Sequence, residues 1–232
     1  MDTAKDARIL VLEDALRHLN SVVSNRKLRF HVEYGRLGEA LKKAGALFYE
    51  VKYSYVDAKS VAELEATQNL VSAIDDFEDI FRSAIDSQGY APQSNSERET
   101  VAEVNYALRI VSRFQKKLVH YDDEPGYAVD LLAVEVTRTQ PIVGARLLDE
   151  CRCTDGSRIW NIVTNIEGVR SGMKLACAIL PPAVMMGVVS EAMFLGGDPL
   201  PDDTPLGELA NVSKGVLDQA TAQVMQIIER MT

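Results

Sequence analysis

The sequence predicts an α+β protein: a helical first half, short strands in the second, and one closing helix. Three observations predict it. Apolar residues recur at steps of three and four up to residue 120. Past residue 128 the apolar period shortens to two. From Leu206 to Ile228 the helical spacing returns. Those periods belong to amphipathic helices and half-buried strands respectively.

The first helix rests on Ile9, Leu12, Leu16, Leu19 and Val23, which make one apolar stripe. A second helical stretch covers Leu28 to Tyr55, although Gly35, Gly38 and Gly45 weaken its continuity. Ser60 followed by Glu63 has the spacing of a capping box and opens a third helix. Val61, Leu64, Val71, Ile74, Phe77, Phe81 and Ile85 form its stripe, and the loop DSQGYAPQSNS ends it. Ser96 with Glu99 opens a fourth in the same way, lined by Val101, Val104, Leu108, Val111 and Leu118. Four antiparallel helices would make a bundle; a long hairpin used for dimerisation is the rival arrangement.

HYDDEPGY breaks the helical period, which places a boundary near Glu124. The expected division is a helical bundle over 1–122, a strand-rich domain over 123–200 and a closing helix within 201–232. Leu131–Val136, Gly144–Cys153, Ile159–Thr164 and Lys174–Leu180 read as strands, with Asp155-Gly156 as a hairpin turn. A Pro-Pro break and a Met-Met-Gly turn precede the last strand, which opens at Ser190-Glu191. Short strands between Gly and Pro turns suit a small barrel.

Composition narrows the function classes. No apolar run approaches the length of a membrane span, and the charged N-terminus lacks a signal peptide's apolar stretch, so a cytoplasmic location is expected. Cys151, Cys153 and Cys177 are an odd set remote from His18, His31 and His120, and they read as buried free thiols rather than metal ligands. Charge is uneven. Residues 1–120 carry 17 Lys and Arg against 18 Asp and Glu, while residues 121–232 carry 8 against 16. Within 128–197 the figures are 6 and 7, so the strand region itself is nearly neutral. No histidine has a sequence-adjacent nucleophile or acid partner, and Asp75, Asp76 and Asp79 fall on a polar helix face. Neither an enzyme, a metal site nor a cofactor is expected.

The run from Arg158 to Gly197 carries the clearest message. RIWNIVTNI and MGVVSEAMFLGG resemble the C-terminal half of the tRNA-binding OB-fold. That family includes the C-terminal appendage of bacterial methionyl-tRNA synthetase, endothelial-monocyte-activating polypeptide II and small stand-alone tRNA-binding dimers. The matching positions are Gly187, Ser190, Glu191, Ala192 and Met193, with Ala192 standing where the family has Gly. Arg158 matches a basic residue before the third strand, Asn161 an amide within it, and Asn165 falls near a Gly. The first loop departs from the family: TRTQPIVGARLL keeps Pro141, has Gln140 in place of His, and lacks the Asn, Asp and Lys that follow.

The resemblance implies a five-stranded OB-fold β-barrel between the helical bundle and the closing helix. The whole arrangement resembles archaeal predicted RNA-binding proteins that end in such a barrel. It implies non-catalytic RNA binding, with tRNA as ligand, through Arg138, Arg158, Asn165, Lys174, Ser190, Glu191 and Met193. A hydroxyl such as that of Ser190 can donate to phosphate without net positive charge. It also implies a homodimer, for which the last helix needs a partner surface, and an aminoacyl-tRNA synthetase as a further partner. Arg109, Arg113, Lys116 and Lys117 share one helix face and form a candidate second basic surface, or a merely solvated one. The alternative class is a protein-interaction, scaffold or chaperone module that binds no RNA.

Overall fold

The computed structural model describes residues 1–231. Its first half is helical, as the 3.6-residue period requires, but it holds five helices rather than four. α1 (Ala7–Ser24) starts at Asp6, whose carboxylate caps the Arg8 N–H, and it buries Ile9, Leu12, Leu19 and Val23. α2 (Tyr34–Lys52) begins later than expected. The residues before it are held off helical geometry by side chains: Tyr34 OH bonds both the N–H and the carbonyl of Leu28, and Gln88 takes the His31 N–H. The three glycines do not interrupt it.

The expected third helix is two. α3 (Ala58–Glu63) and α4 (Glu65–Gln88) part at Leu64, whose backbone is extended at ψ 137. The cap of α3 is Asp57, which accepts from the Ser60 N–H at 3.0 Å, so Ser60 lies inside the helix. α5 (Asn95–His120) is capped two residues earlier than expected. Ser94 Oγ takes the Glu97 N–H at 3.2 Å and donates to the Glu97 carboxylate at 3.1 Å. Asp and Ser both cap well, and the sequence offered several candidates for one role.

After a 3₁₀ turn at Pro125–Ala128 come β1 (Leu131–Pro141), β2 (Asp149–Thr154), β3 (Ile159–Thr164), β4 (Lys174–Met185), β5 (Val188–Phe194) and β6 (Gly207–Glu208). They form one antiparallel sheet in the order β3-β2-β1-β4-β5, with β6 paired to β1. β4 and β5 turn at Met186 and Gly187, both with positive φ (50° and 80°), as a two-residue hairpin demands. Pro181 and Pro182 do not end β4. They sit where its register with β5 shifts between Ile179 and Ala183, so the missing N–H groups cost no ladder bond.

The closed five-stranded cylinder that the resemblance implies is not what backbone pairing draws. The hydrogen-bonded path is open, because β3 and β5 share no ladder. Polar side chains bridge that seam instead. Ser190 Oγ accepts from the Val163 N–H at 2.9 Å, and Asn161 Nδ2 donates to the Val189 carbonyl at 3.1 Å.

α5 is the spine of the molecule, packed against α1 and α3 on one side and β4 and β5 on the other. α6 (Lys214–Glu229) lies on the 3₁₀ turn and α1, burying Ala220, Val224 and Ile227 within its own chain. Thr221 Oγ1 anchors it, accepting from the Gly126 N–H at 3.1 Å and donating to Glu124 at 2.9 Å. The rest of the apolar stripe of α6, Val216 and Ile228, is half-buried.

Candidate nucleic-acid interface

The structure disperses the residues that sequence reasoning gathered. Ser190 is buried, and its hydroxyl is spent on Val163 and on the Ala192 carbonyl at 3.0 Å. Ser190 and Met193 line a cavity of about 150 Å³ together with Gln223 and Ile227 of α6 and Arg230 just after it. The closing helix thus lies beside Ser190 and Met193 of the set expected to meet RNA. Glu191 is ion-paired with Arg158, whose guanidinium lies 3.8 Å from the centre of the Trp160 ring. That indole is fixed in turn by Asp155, which accepts its N–H at 2.9 Å. Lys174 Nζ donates to the Asp202 and Thr204 carbonyls, fastening the proline-rich connector. Asn165 stands exposed just beyond β3.

Nor is the basic face of α5 free. Asp130, only 5% exposed, is ion-paired with Arg109, with Arg113 at 3.3 Å and with Lys117 at 2.8 Å. Burial works to raise the Asp130 pKa, and the three cations outweigh it, so its carboxyl sits below the usual range. Burial pushes the Lys117 ammonium down while Asp130 opposes it. Lys117 also donates to the carbonyls of Tyr127 (3.1 Å) and Val129 (2.6 Å). Lys116 and Arg113 both reach Glu208 of β6. These cations join the helical half to the strands; Lys117 is buried, while Arg109, Arg113 and Lys116 keep part of their side chains open to solvent. The helix face that looks solvated in sequence is opposite the apolar stripe, but the sheet wraps around to meet it.

What the structure does bring together is a strip of unpaired arginines. Arg138 of β1 and Arg152 of β2 are direct cross-strand partners. Both are exposed. Their neighbours Cys151 and Cys153 are fully buried, so alternation turns Arg152 outward. The loop between β3 and β4 is tied to the same stretch of β1. Ser171 Oγ donates to the Thr137 carbonyl at 3.0 Å and the Gly172 N–H to the Val136 carbonyl at 2.8 Å. This sets the exposed Arg170 beside the pair. Arg146 projects from the loop between β1 and β2. Among the described residues none of these four makes an ion pair, whereas Arg158, the remaining arginine of the sheet region, does. Glu150 lies on the same face, but its oxygens take amide donors from Gln140 (2.6 Å) and Asn161 (2.9 Å).

Like charges directly opposite in an antiparallel pair destabilise it. A fold that keeps two arginines in that position, with no carboxylate between them, presents donors suited to an external anion. Sequence reasoning found Arg138 and missed Arg152 and Arg170. The alternation Cys151-Arg152-Cys153 was the available signal for Arg152; the loop tether that brings Arg170 near has no local signature.

The three cysteines are free and buried, and burial pushes their thiols up, that of Cys153 to about 12. Such thiols are poor nucleophiles. No helix among the described residues is long and apolar enough to cross a membrane.

No curated protein matches the chain. Among solved structures, the crystal structure of a MetRS related protein from Pyrococcus horikoshii aligns at 21% identity and a TM-score of 0.35, over 38% of this chain and 94% of that one. Residues 1–120 match the family model described as an alpha helical domain, and with that match spanning more than half its length the chain belongs to the alpha helical domain family.

Proposed function

We propose that this chain is a non-catalytic RNA-binding protein, with tRNA as its ligand, that holds the RNA backbone on the outer face of β1 and β2. The observation that carries this reading is the cross-strand pair Arg138–Arg152 with Arg170 beside it, all exposed and without ion pairs. Arginine forks match phosphate oxygens in geometry as well as charge. Antiparallel strands in the order β3-β2-β1-β4-β5 follow the path of an OB-fold, whose second and third strands and adjoining loops are its nucleic-acid surface. The resemblance over residues 158–197 points the same way, and it extends to a homodimer and to an aminoacyl-tRNA synthetase as a partner. Ser190, Glu191 and Met193 then serve the β3–β5 seam and the cavity beneath α6, and Arg138 is the residue of the implied set that meets RNA.

A salt titration of tRNA binding tests it. Each phosphate contact contributes roughly 0.9 to the slope of log affinity against log salt. Replacing both Arg138 and Arg152 by Ala should weaken binding at every salt concentration and lower that slope by about two. Equal affinity of variant and parent, or no retention of tRNA by the parent at roughly 50 mM salt, overturns the proposal.

One observation favours a protein-interaction module instead. Val143 (96% exposed), Leu147 (70%) and Met186 (57%) stand on adjoining loops, since a Cβ at Gly144 would lie 3.8 Å from Met186. Apolar tips of that exposure suit a protein partner. Flat, negligible tRNA retention in the same titration would decide for this reading.

A further inference from the structure

A second group of arginines gathers where α4 and α5 meet the start of β3. A groove of about 260 Å³ is lined by Arg82 of α4, Arg109 and Arg113 of α5 and Arg158 just before β3, with Glu78, Leu108 and Ser112 completing its walls. Each guanidinium spends only part of its fork within the chain. Arg82 bonds Glu78 through Nε, Arg109 bonds Asp130 through Nε, and Arg158 bonds Glu191 through one Nη. Arg113 uses Nε and Nη1 on Asp130 and Glu208. The remaining N–H groups have no acceptor among the described residues, so donors from three elements converge on one opening.

The unspent donors point to the occupant. Arg82 pairs with Glu78, Arg158 with Glu191, Arg109 with Asp130, and Arg113 with Asp130 and Glu208. The four arginines of the groove thus face four carboxylates, and Lys116 and Lys117, which share Glu208 and Asp130, stand outside its lining. A planar carboxylate offers two oxygens and one charge. A phosphate monoester offers three terminal oxygens and nearly two charges near neutral pH, which suits the number of unspent donor edges. We propose that this groove binds a phosphate monoester. The inference stands on these arginines and does not rest on the RNA reading of Arg138 and Arg152.

The experiment is a titration of the intact chain with inorganic phosphate and with AMP, followed by ³¹P NMR. Arg82→Gln is the main variant, because Arg82 is the most exposed of the four and its loss leaves the Asp130 network intact. It should weaken both ligands about tenfold or more, the loss expected for a charge-assisted hydrogen bond. Arg36→Gln, which removes an exposed arginine from α2, should leave binding unchanged. Ser112→Tyr fills the groove without altering its charge and should also abolish binding, which guards against misfolding of any one variant. A 5′-phosphorylated RNA hexamer compared with its 5′-hydroxyl form identifies the source. Tighter binding of the phosphorylated form, lost in Arg82→Gln, assigns the groove to an RNA end; binding of phosphate and AMP alone assigns it to a small molecule. No phosphate-dependent shift in the parent, or equal weakening in Arg36→Gln, overturns the proposal.

Discussion

The Ser190 hydroxyl accepts the Val163 N–H at 2.9 Å and closes, by a side chain, the gap between β3 and β5 that no backbone ladder spans. Replacing it with Ala leaves a buried donor without an acceptor. That omission costs about 1–3 kcal/mol. Ser190→Ala should therefore lower the free energy of urea unfolding by that amount, with the Val163 amide among the first of β3 to gain hydrogen exchange. The same variant should keep the parent's tRNA affinity and salt slope. A Ser190→Ala protein that stays fully stable yet loses RNA would return the hydroxyl to the ligand.

Arg138 and Arg152 set stability against binding in a way that one substitution can expose. Arg152→Glu turns a repulsive cross-strand pair into an attractive one. Opposite charges at that spacing contribute roughly 0.2–1 kcal/mol. The variant should melt slightly higher than the parent and bind tRNA far more weakly, because a carboxylate then occupies the strip. Arg152→Ala should fall between the two on both counts. If Arg152→Glu melts lower, the arginines are not repelling one another and the strip is already neutralised within the fold.

The two halves differ in what could be read from residues alone. Period fixed by burial was legible: Ile9, Leu12 and Leu19 face inward as their spacing says, and β3 has the bounds expected of it. Choices among equivalent caps were not. Asp57 and Ser60, or Ser94 and Ser96, each satisfy a first turn, and only packing selects between them. The site was least legible, because its logic is tertiary. Arg109, Arg113 and Lys117 look like a solvated face until Asp130, just before β1, and Glu208 of β6 arrive to claim them. Ser190 matches a motif, yet it is buried, and α6, which arrives some twenty residues later in the chain, lies beside it.

Acid should weaken the β2–β3 hairpin through Asp155. Burial works to raise its pKa, but hydrogen bonds from Trp160, Ser157 and Arg158 outweigh it and hold the carboxyl at about 2. Its unfolded value is near 3.9. A group depressed on folding contributes stability that is complete above the unfolded value and is lost as pH falls through the folded one. Between roughly pH 4 and pH 2 the parent should lose stability more steeply than Asp155→Asn, which cannot titrate. Trp160 fluorescence reports the change locally, since its N–H bonds the same carboxylate. Parallel pH curves for the two proteins would show that Asp155 is not held low.

Gly126 tests whether α6 is seated as tightly as the buried Ser190 cavity requires. Its φ is not positive, so the need for glycine there is steric. A Cβ would lie 2.7 Å from Leu217 Cδ1, 3.0 Å from the Leu217 carbonyl and 3.0 Å from Thr221 Oγ1. The Leu217 methyl can swing away, but the carbonyl belongs to the helix backbone and moves only with α6 itself. Gly126→Ala should therefore push α6 outward at a cost of about 1–3 kcal/mol, the range for overpacking. Adding Leu217→Ala should recover only the side-chain part of that cost, because the backbone contact persists. Hydrogen exchange should rise along α6 in both variants, and with it the exposure of Met193 to oxidants. Full recovery in the double variant would mean that the carbonyl gives way freely and that α6 rests loosely on the turn.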